Sequence, residues 1–189
     1  MLDEALSIRA ISAELLSDYL AFFDHDAFPP DHRWAGCYCH FAFAPHRLKP
    51  WVERTAQENR AAVSQLIRAN RMSGYLAYHS GRVVGWCNAA PYTRFTILDE
   101  KPAAEADRLG AITCFIIAPG YRGQGVARRL LQAALAGFQA QGLALVEAYP
   151  PRDTTDPEAN HHGPLSLYLA EGFTIIAEED DQVVVRKAL

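Results

Sequence analysis

Apolar and polar positions along the chain change period often enough to mark out alternating strands and helices. Residues 7–11 read as a first strand. Ser12 is placed to cap a helix over 13–23, with Leu15, Leu16, Tyr19, Leu20 and Phe23 on one face. Residues 24–50 lose any long period and are rich in His, Cys, Pro and aromatic side chains, though 37–43 alternates enough to predict an extra short strand. Pro50 precedes a helix over 51–70. Two β-favouring runs, 73–78 and 82–89, flank Ser80-Gly81 and predict a hairpin. A loop with Pro91, Pro102 and short helical turns leads to Ala111. Then come a strand over 113–118, a helix over 126–140 with Leu130, Leu131, Ala134, Leu135 and Phe138 at helical spacing, and a strand over 143–149. A polar, turn-rich stretch over 150–164 precedes a short helix over 165–171 and a closing hairpin, 174–178 with 183–187.

This order, with seven strands expected, fits one α/β domain over 1–189, with 24–50 as an irregular insert. Half of the 189 residues are hydrophobic, ample for a core. The formal charge of −4 argues against nucleic acid or an anionic membrane as partner. No apolar run approaches the roughly 20 residues that span a bilayer. Asp3 and Glu4 do not fit the start of a secretory signal, and four cysteines do not form a disulfide framework, so a cytoplasmic protein is expected.

The chemistry concentrates in 114–131. A short apolar strand ends at Pro119; a basic glycine turn, Arg122-Gly123-Gln124-Gly125-Val126-Ala127, follows; a helix opens at once. Glycines let backbone approach a ligand, and the first N–H groups of the helix point outward with the positive end of its dipole. The segment should bind phosphate or pyrophosphate. A Walker loop would end Gly-Lys-Ser/Thr, and a dinucleotide fingerprint would carry a third glycine; neither is present.

What fits is Arg-x-x-Gly-x-Ala at Arg122, Gly125 and Ala127. A second signature follows in order, Leu167-Tyr168 with Gly172-Phe173. On these two motifs the chain resembles the GNAT N-acetyltransferases over nearly its whole length. The resemblance implies a mixed central sheet of about seven strands, helices on both faces, and a splayed pair of parallel strands that binds an acyl-CoA. It implies backbone contacts to pantetheine from Phe115, Ile116 and Ile117, and a pyrophosphate clamp from Arg122, Gly123, Gln124, Gly125, Val126 and Ala127. Arg128 or Arg129 would reach the 3′-phosphate, or both are surface arginines. Tyr168 would protonate the leaving thiolate. His161 stands where many relatives carry Asn, with Asn160 beside it; His161 and His162 either shuttle protons near the acyl group or are solvated loop residues.

Glu147, among apolar neighbours in 145–149, is the candidate base, since burial would raise its pKa; the alternative is a Glu paired with an arginine. Gly85-Trp86-Cys87-Asn88-Ala89-Ala90-Pro91, Cys37-Tyr38-Cys39 and Asn59-Arg60 resemble a group of bacterial GNAT proteins of undefined substrate, so Trp86, Asn88, Tyr38 and Tyr92 are candidates for the acceptor pocket, with strand core as the other reading of Trp86 and Cys87. Cys37, Cys39, His40 and His46, like Asp24, His25, Asp26 and His32, suggest a metal. Cys-x-Cys is tighter than structural zinc spacing and lacks a second Cys pair, so no metal is expected. The implied activity is transfer of acetyl from acetyl-CoA to a small-molecule primary amine, by a monomer or homodimer. A CoA-binding sensor without catalysis, and an acetyltransferase of protein N-termini or lysines, are the alternatives.

Overall fold

The computed structural model describes residues 6–29, 31–98, 100–152 and 159–189. Asp3, Glu4 and the middle of the expected 150–164 loop lie outside them. Seven strands form one sheet: β1 (Leu6–Ala10), β2 (Gly74–His79), β3 (Arg82–Pro91), β4 (Leu109–Ile117), β5 (Leu145–Ala148), β6 (Thr174–Glu178) and β7 (Val183–Ala188), in the order β1-β2-β3-β4-β5-β7-β6. Only β4 and β5 are parallel neighbours; every other pair is antiparallel. The helices are α1 (Leu16–Ala21), continued by a π-helical turn Phe22–Asp26, then α2 (Ala56–Arg68), α3 (Ala103–Ala106), α4 (Val126–Ala140) and α5 (Leu165–Ala170).

The period-2 alternation of the strands divides the core into two layers. Leu76, Trp86, Ala90, Leu109, Ala111 and Ile116 face α1, α2 and the insert. Ala77, Val84, Cys87, Ile112, Phe115, Val146 and Val185 face the other way, onto Leu130, Leu131, Ala134 and Phe138 of α4 and Tyr168 of α5.

Several elements differ from the expectations: α1 starts only at Leu16, after a 3₁₀ turn Ala13–Leu15 that Ser12 does not cap through its side chain, and β5 starts at Leu145. The long helix starts at Ala56, not near Trp51, because Thr55 caps it: its hydroxyl accepts from the Glu58 N–H while the Glu58 carboxylate accepts from the Thr55 N–H. Trp51–Glu53 is a separate 3₁₀ turn. β4 begins at Leu109, four residues earlier than expected, and pairs with β3 as far as Pro91. The strand expected over 37–43 does not form. Tyr38 and Cys39 have φ of 49° and 47°, a left-handed pair that no strand accommodates, and Phe41–Phe43 is a 3₁₀ turn.

The insert is held on α2 and the sheet by side chains. His40 Nδ1 lies 2.8 Å from Asn59 Oδ1, and Asn59 Nδ2 donates to the Gly36 carbonyl at 2.9 Å. Arg60 binds both oxygens of Asp24, which also accepts from the Tyr38 hydroxyl at 2.6 Å. Tyr19 donates to the Tyr38 carbonyl at 2.6 Å. Asn59 and Arg60 thus act as anchors of the insert.

Candidate active site

β5 accompanies β4 only from Leu109 to Ile112, where the last parallel partner is Ala148. Beyond it the chain of β4 runs on to Ile117 with β3 on one side and, among the described residues, no strand on the other. A strand edge with unpaired N–H and C=O groups can take an extended arm as an added strand. At this point β3 and β4 also fall out of register: Asn88 pairs with Cys114 and Ala89 with Ile112, leaving Thr113 as the extra residue of a bulge.

β4 leads through Pro119–Tyr121 into the glycine turn. Gly123 and Gly125 have φ of 72° and 83°, and a Cβ on either would meet open space. Glycine is required there by the backbone angle and not by crowding. Gly125 is the N-cap of α4, with no side chain capping the helix and no acidic residue in its first turn. The leading N–H groups of a four-turn helix are therefore left to an anionic ligand. Arg122 bends back to donate to the Ile117 carbonyl at 3.1 Å, and Gln124 to the Gly120 carbonyl at 2.7 Å, so both side chains brace the turn. Arg128 pairs with Glu171, the residue that follows α5.

A cavity of about 580 Å³ opens along this edge. One end is the glycine turn, with Arg122, Gly123, Gly125, Val126, Ala127 and Arg128. Its floor is 113–117 of β4, including Phe115, Ile116 and Ile117. The other end is roofed by Phe28, Trp34 and Phe41 of the insert, by Trp51 just after it and by 160–164. Cys37, Cys39 and Cys114 also line it, the last two in sulfur contact at 3.3 Å. Burial pushes Cys37 up to about 11 and Cys39 higher than an ordinary thiol, so both are protonated at neutral pH. Among the described residues no cluster of three or more His, Cys, Asp or Glu is arranged to hold a metal.

His161 and Asn88 reach the cavity wall; Gln124 does not. Trp86, Tyr38 and Tyr92 are buried beneath it instead of lining it. Trp86 is fully enclosed, edge-on to Tyr19, while the Tyr38 hydroxyl is occupied by Asp24. Glu147 is also outside the cavity, and its expected role as base is corrected. It is completely buried, bonded by Arg186 Nε at 2.9 Å and by the Tyr149 hydroxyl at 3.0 Å, with Lys101 at 3.5 Å. Arg186 reaches on to Glu105, so an ion cluster across β5 and β7 accounts for this carboxylate.

Tyr168 is fully buried beside Phe115 and Phe173. Its hydroxyl donates to the His162 carbonyl at 2.7 Å, directly behind the cavity wall. Burial raises its pKa, so the proton stays on. His162, read as solvated or as a shuttle, is held inside: Nδ1 lies 2.7 Å from the Thr113 carbonyl, and burial lowers its pKa to about 4. Since a carbonyl only accepts, Nδ1 carries the hydrogen and Nε2 is left as an acceptor. The roof aromatics Phe28, Trp34, Phe41 and Trp51 were not singled out by the sequence. For the first three the only signal was the density of aromatic residues in 24–50; Trp51 follows that stretch directly.

An unaccompanied strand edge, a bulge and an uncapped helix start, aligned along one cavity, define a protein built to bind an acyl-CoA. Residues 14–161 match the model of the Acetyltransferase (GNAT) family. The chain belongs to this family and is an acyltransferase that uses acetyl-CoA. Among solved structures it is similar to the PaiA N-acetyltransferase of Thermoplasma acidophilum in complex with coenzyme A, at 14% identity over 97% of this chain and 99% of that one, TM-score 0.59. It is also similar to yncA of Salmonella typhimurium with its cofactor acetyl-CoA, at 15% identity over 98% and 94%, TM-score 0.59. A third is the ribosomal-protein-alanine N-acetyltransferase of Brucella melitensis, at 14% identity over 97% and 99%, TM-score 0.58. At such identities these likenesses bear on the fold. No curated protein matches the chain. Among the described residues no helix is long and apolar enough to cross a membrane.

Proposed function

We propose that the protein moves the acetyl group of acetyl-CoA to a primary amine of a small molecule, by direct attack in a ternary complex. The observation that carries this reading is the continuity of one cavity from the glycine turn, past the free edge of β4, to a roofed chamber under the insert. The donor's pyrophosphate rests on the start of α4, and its pantetheine arm lies along 113–117. The thioester then reaches the bulge at Thr113, and the roofed end is left for the acceptor.

In the reaction the amine lone pair attacks the thioester carbonyl carbon. The C–N bond forms, the C–S bond breaks, and the amine gives up a proton to solvent. The departing thiolate takes a proton from Tyr168, whose hydroxyl turns from the His162 carbonyl toward the sulfur and regains a proton from solvent as the thiol leaves. The raised Tyr168 pKa supports a donor that is protonated throughout the neutral range.

Thiol release from acetyl-CoA, followed over a library of amines, tests the reading. Turnover with at least one small amine is expected, and Tyr168→Phe should lower kcat by about 100-fold with CoA affinity unchanged. Undiminished kcat in that variant would remove Tyr168 from the chemistry. Tight CoA binding without thiol release for any amine would favour a sensor over an enzyme.

A further inference from the structure

At the bulge of β4, away from Arg122 and Arg128 at the phosphate end and from Asn160 and His161 in the wall, three further polar side chains of the cavity converge. Asn88 is completely buried, and among the described residues neither its amide oxygen nor its amide nitrogen has a partner. The Thr113 hydroxyl, next to it through the Asn88–Cys114 pairing, is likewise buried without a partner. Native proteins seldom leave such groups unpaired, so a fully enclosed carboxamide facing a cavity points to a ligand group that completes it. His162 approaches Thr113 from the other side, pinned through Nδ1.

We propose that the acceptor is a monoamine with an aromatic or bulky apolar body, its nitrogen seated between Asn88, Thr113 and His162. The inference rests on the N-acetyltransferase reading above and names the substrate class for it. A neutral primary amine has two N–H groups and one lone pair. Asn88 Oδ1 and His162 Nε2 are two acceptors for the former, which leaves the lone pair for the thioester carbon. His162 serves as an acceptor here because burial keeps it neutral at physiological pH.

The rest of the chamber selects the body of the molecule. Phe28, Trp34, Phe41 and Trp51 offer ring faces and edges, on which aromatic groups pack well. Among the described residues no Asp or Glu lines the cavity, and its arginines, Arg122 and Arg128, lie at the phosphate end. A polyamine or aminosugar would bring further ammonium groups into this space, each losing its water without gaining a counter-charge.

The test is acetylation by the full chain at saturating acetyl-CoA, with thiol release as readout, of 2-phenylethylamine and tryptamine against putrescine, spermidine, kanamycin and a peptide with a free N-terminus. The arylalkylamines should exceed every other acceptor in kcat/KM by about 100-fold, the discrimination expected when competitors must bury unpaired charge or polar groups. Asn88→Leu and Thr113→Val should each lower kcat/KM for the arylalkylamine by about 10-fold while calorimetric CoA affinity stays unchanged. Fastest turnover of a polyamine, aminoglycoside or peptide overturns the proposed class and leaves the N-acetyltransferase reading standing. Thr113→Val and Asn88→Leu proteins that bind CoA normally and retain full kcat/KM overturn the nitrogen seat. Tight acetyl-CoA binding with no thiol release for any amine overturns the underlying reading as well.

Discussion

The two ends of the cavity are made by different means. The donor end comes from one contiguous stretch, β4 through the start of α4, and works through backbone: a strand edge left unaccompanied after Ile112, two glycines at positive φ, and an uncapped helix start. The acceptor end is assembled from side chains far apart in sequence, Phe28 to Trp51, Asn88, Thr113 and His162. It is held by long-range bonds such as His40 to Asn59 and Asp24 to Arg60. Backbone geometry tolerates wide change in the side chains around it, and the fold itself is shared with the Thermoplasma acidophilum protein at 14% identity. Side-chain geometry has no such tolerance, so the end proposed for the acceptor depends on each of these residues.

If that contrast holds, a backbone change at the donor end should have the largest effect. Gly125 sits at φ 83° with nothing within 4 Å of where a Cβ would be. Valine there costs on the order of 1–3 kcal/mol in backbone strain, and its branches project into the space left for phosphate. Gly125→Val should therefore raise the Kd for acetyl-CoA by about 100-fold, measured by calorimetry, with a fall in Tm of a few degrees. An unchanged Kd would mean that the turn does not hold the pyrophosphate.

The same contrast explains what could be read from the sequence. The strand, the glycine turn, the amphipathic α4 and the helix ending at Gly172 are local signals, and all were legible. The insert was not. Residues 37–43 alternate as a strand does, yet Tyr38 and Cys39 turn left-handed, because Tyr38 is drawn down by Asp24 and Tyr19 while Cys39 is brought against Cys114. Thr55-Ala-Gln-Glu58 did carry a capping-box pattern, a local signal that outweighs Pro50 in fixing the helix start. Trp86 and Tyr92 were pocket candidates only through the resemblance of 85–91 to a group of bacterial GNAT proteins; here both belong to the core layer on the insert's side. His162 looked solvated because its partner, the Thr113 carbonyl, is 49 residues away in sequence.

Glu147 tests the contrast from outside both ends. As the base it would set kcat; as the centre of the Arg186, Lys101 and Tyr149 cluster it sets stability. Removing the charge from one partner of a buried ion pair leaves the others uncompensated, at a cost of about 3 kcal/mol for the fully enclosed carboxylate. Glu147→Gln should lower Tm by roughly 5–10 °C while kcat/KM of the folded enzyme stays within about twofold. A large loss of kcat with an unmoved Tm would return Glu147 to the chemistry.

The smallest effect is expected where one anchor of the acceptor roof is loosened. Asp24 holds Arg60 of α2 and the Tyr38 hydroxyl together, and the bonds from Arg60 keep its carboxyl below the ordinary aspartate range. The pair is partly exposed, so its contribution to stability is modest. Its contribution to the shape of the roof is greater, since Tyr38 is flanked by Cys37 and Cys39, both in the cavity wall. Asp24→Asn should raise the amine KM by about threefold, with kcat and the Kd for acetyl-CoA unchanged. The pH dependence has a definite sign. A carboxyl with a depressed folded pKa stabilises fully above its unfolded value near ~4, and the gain is lost as pH falls through the lower, folded value. The stability difference between Asp24 protein and the Asn variant should therefore be constant from neutral pH down to about 5 and close only below about 4. Chemical denaturation across that range measures it. A difference that closes near pH 6 would assign the anchoring to a histidine, and a rise in the Kd for acetyl-CoA equal to the rise in amine KM would dissolve the distinction between the two ends.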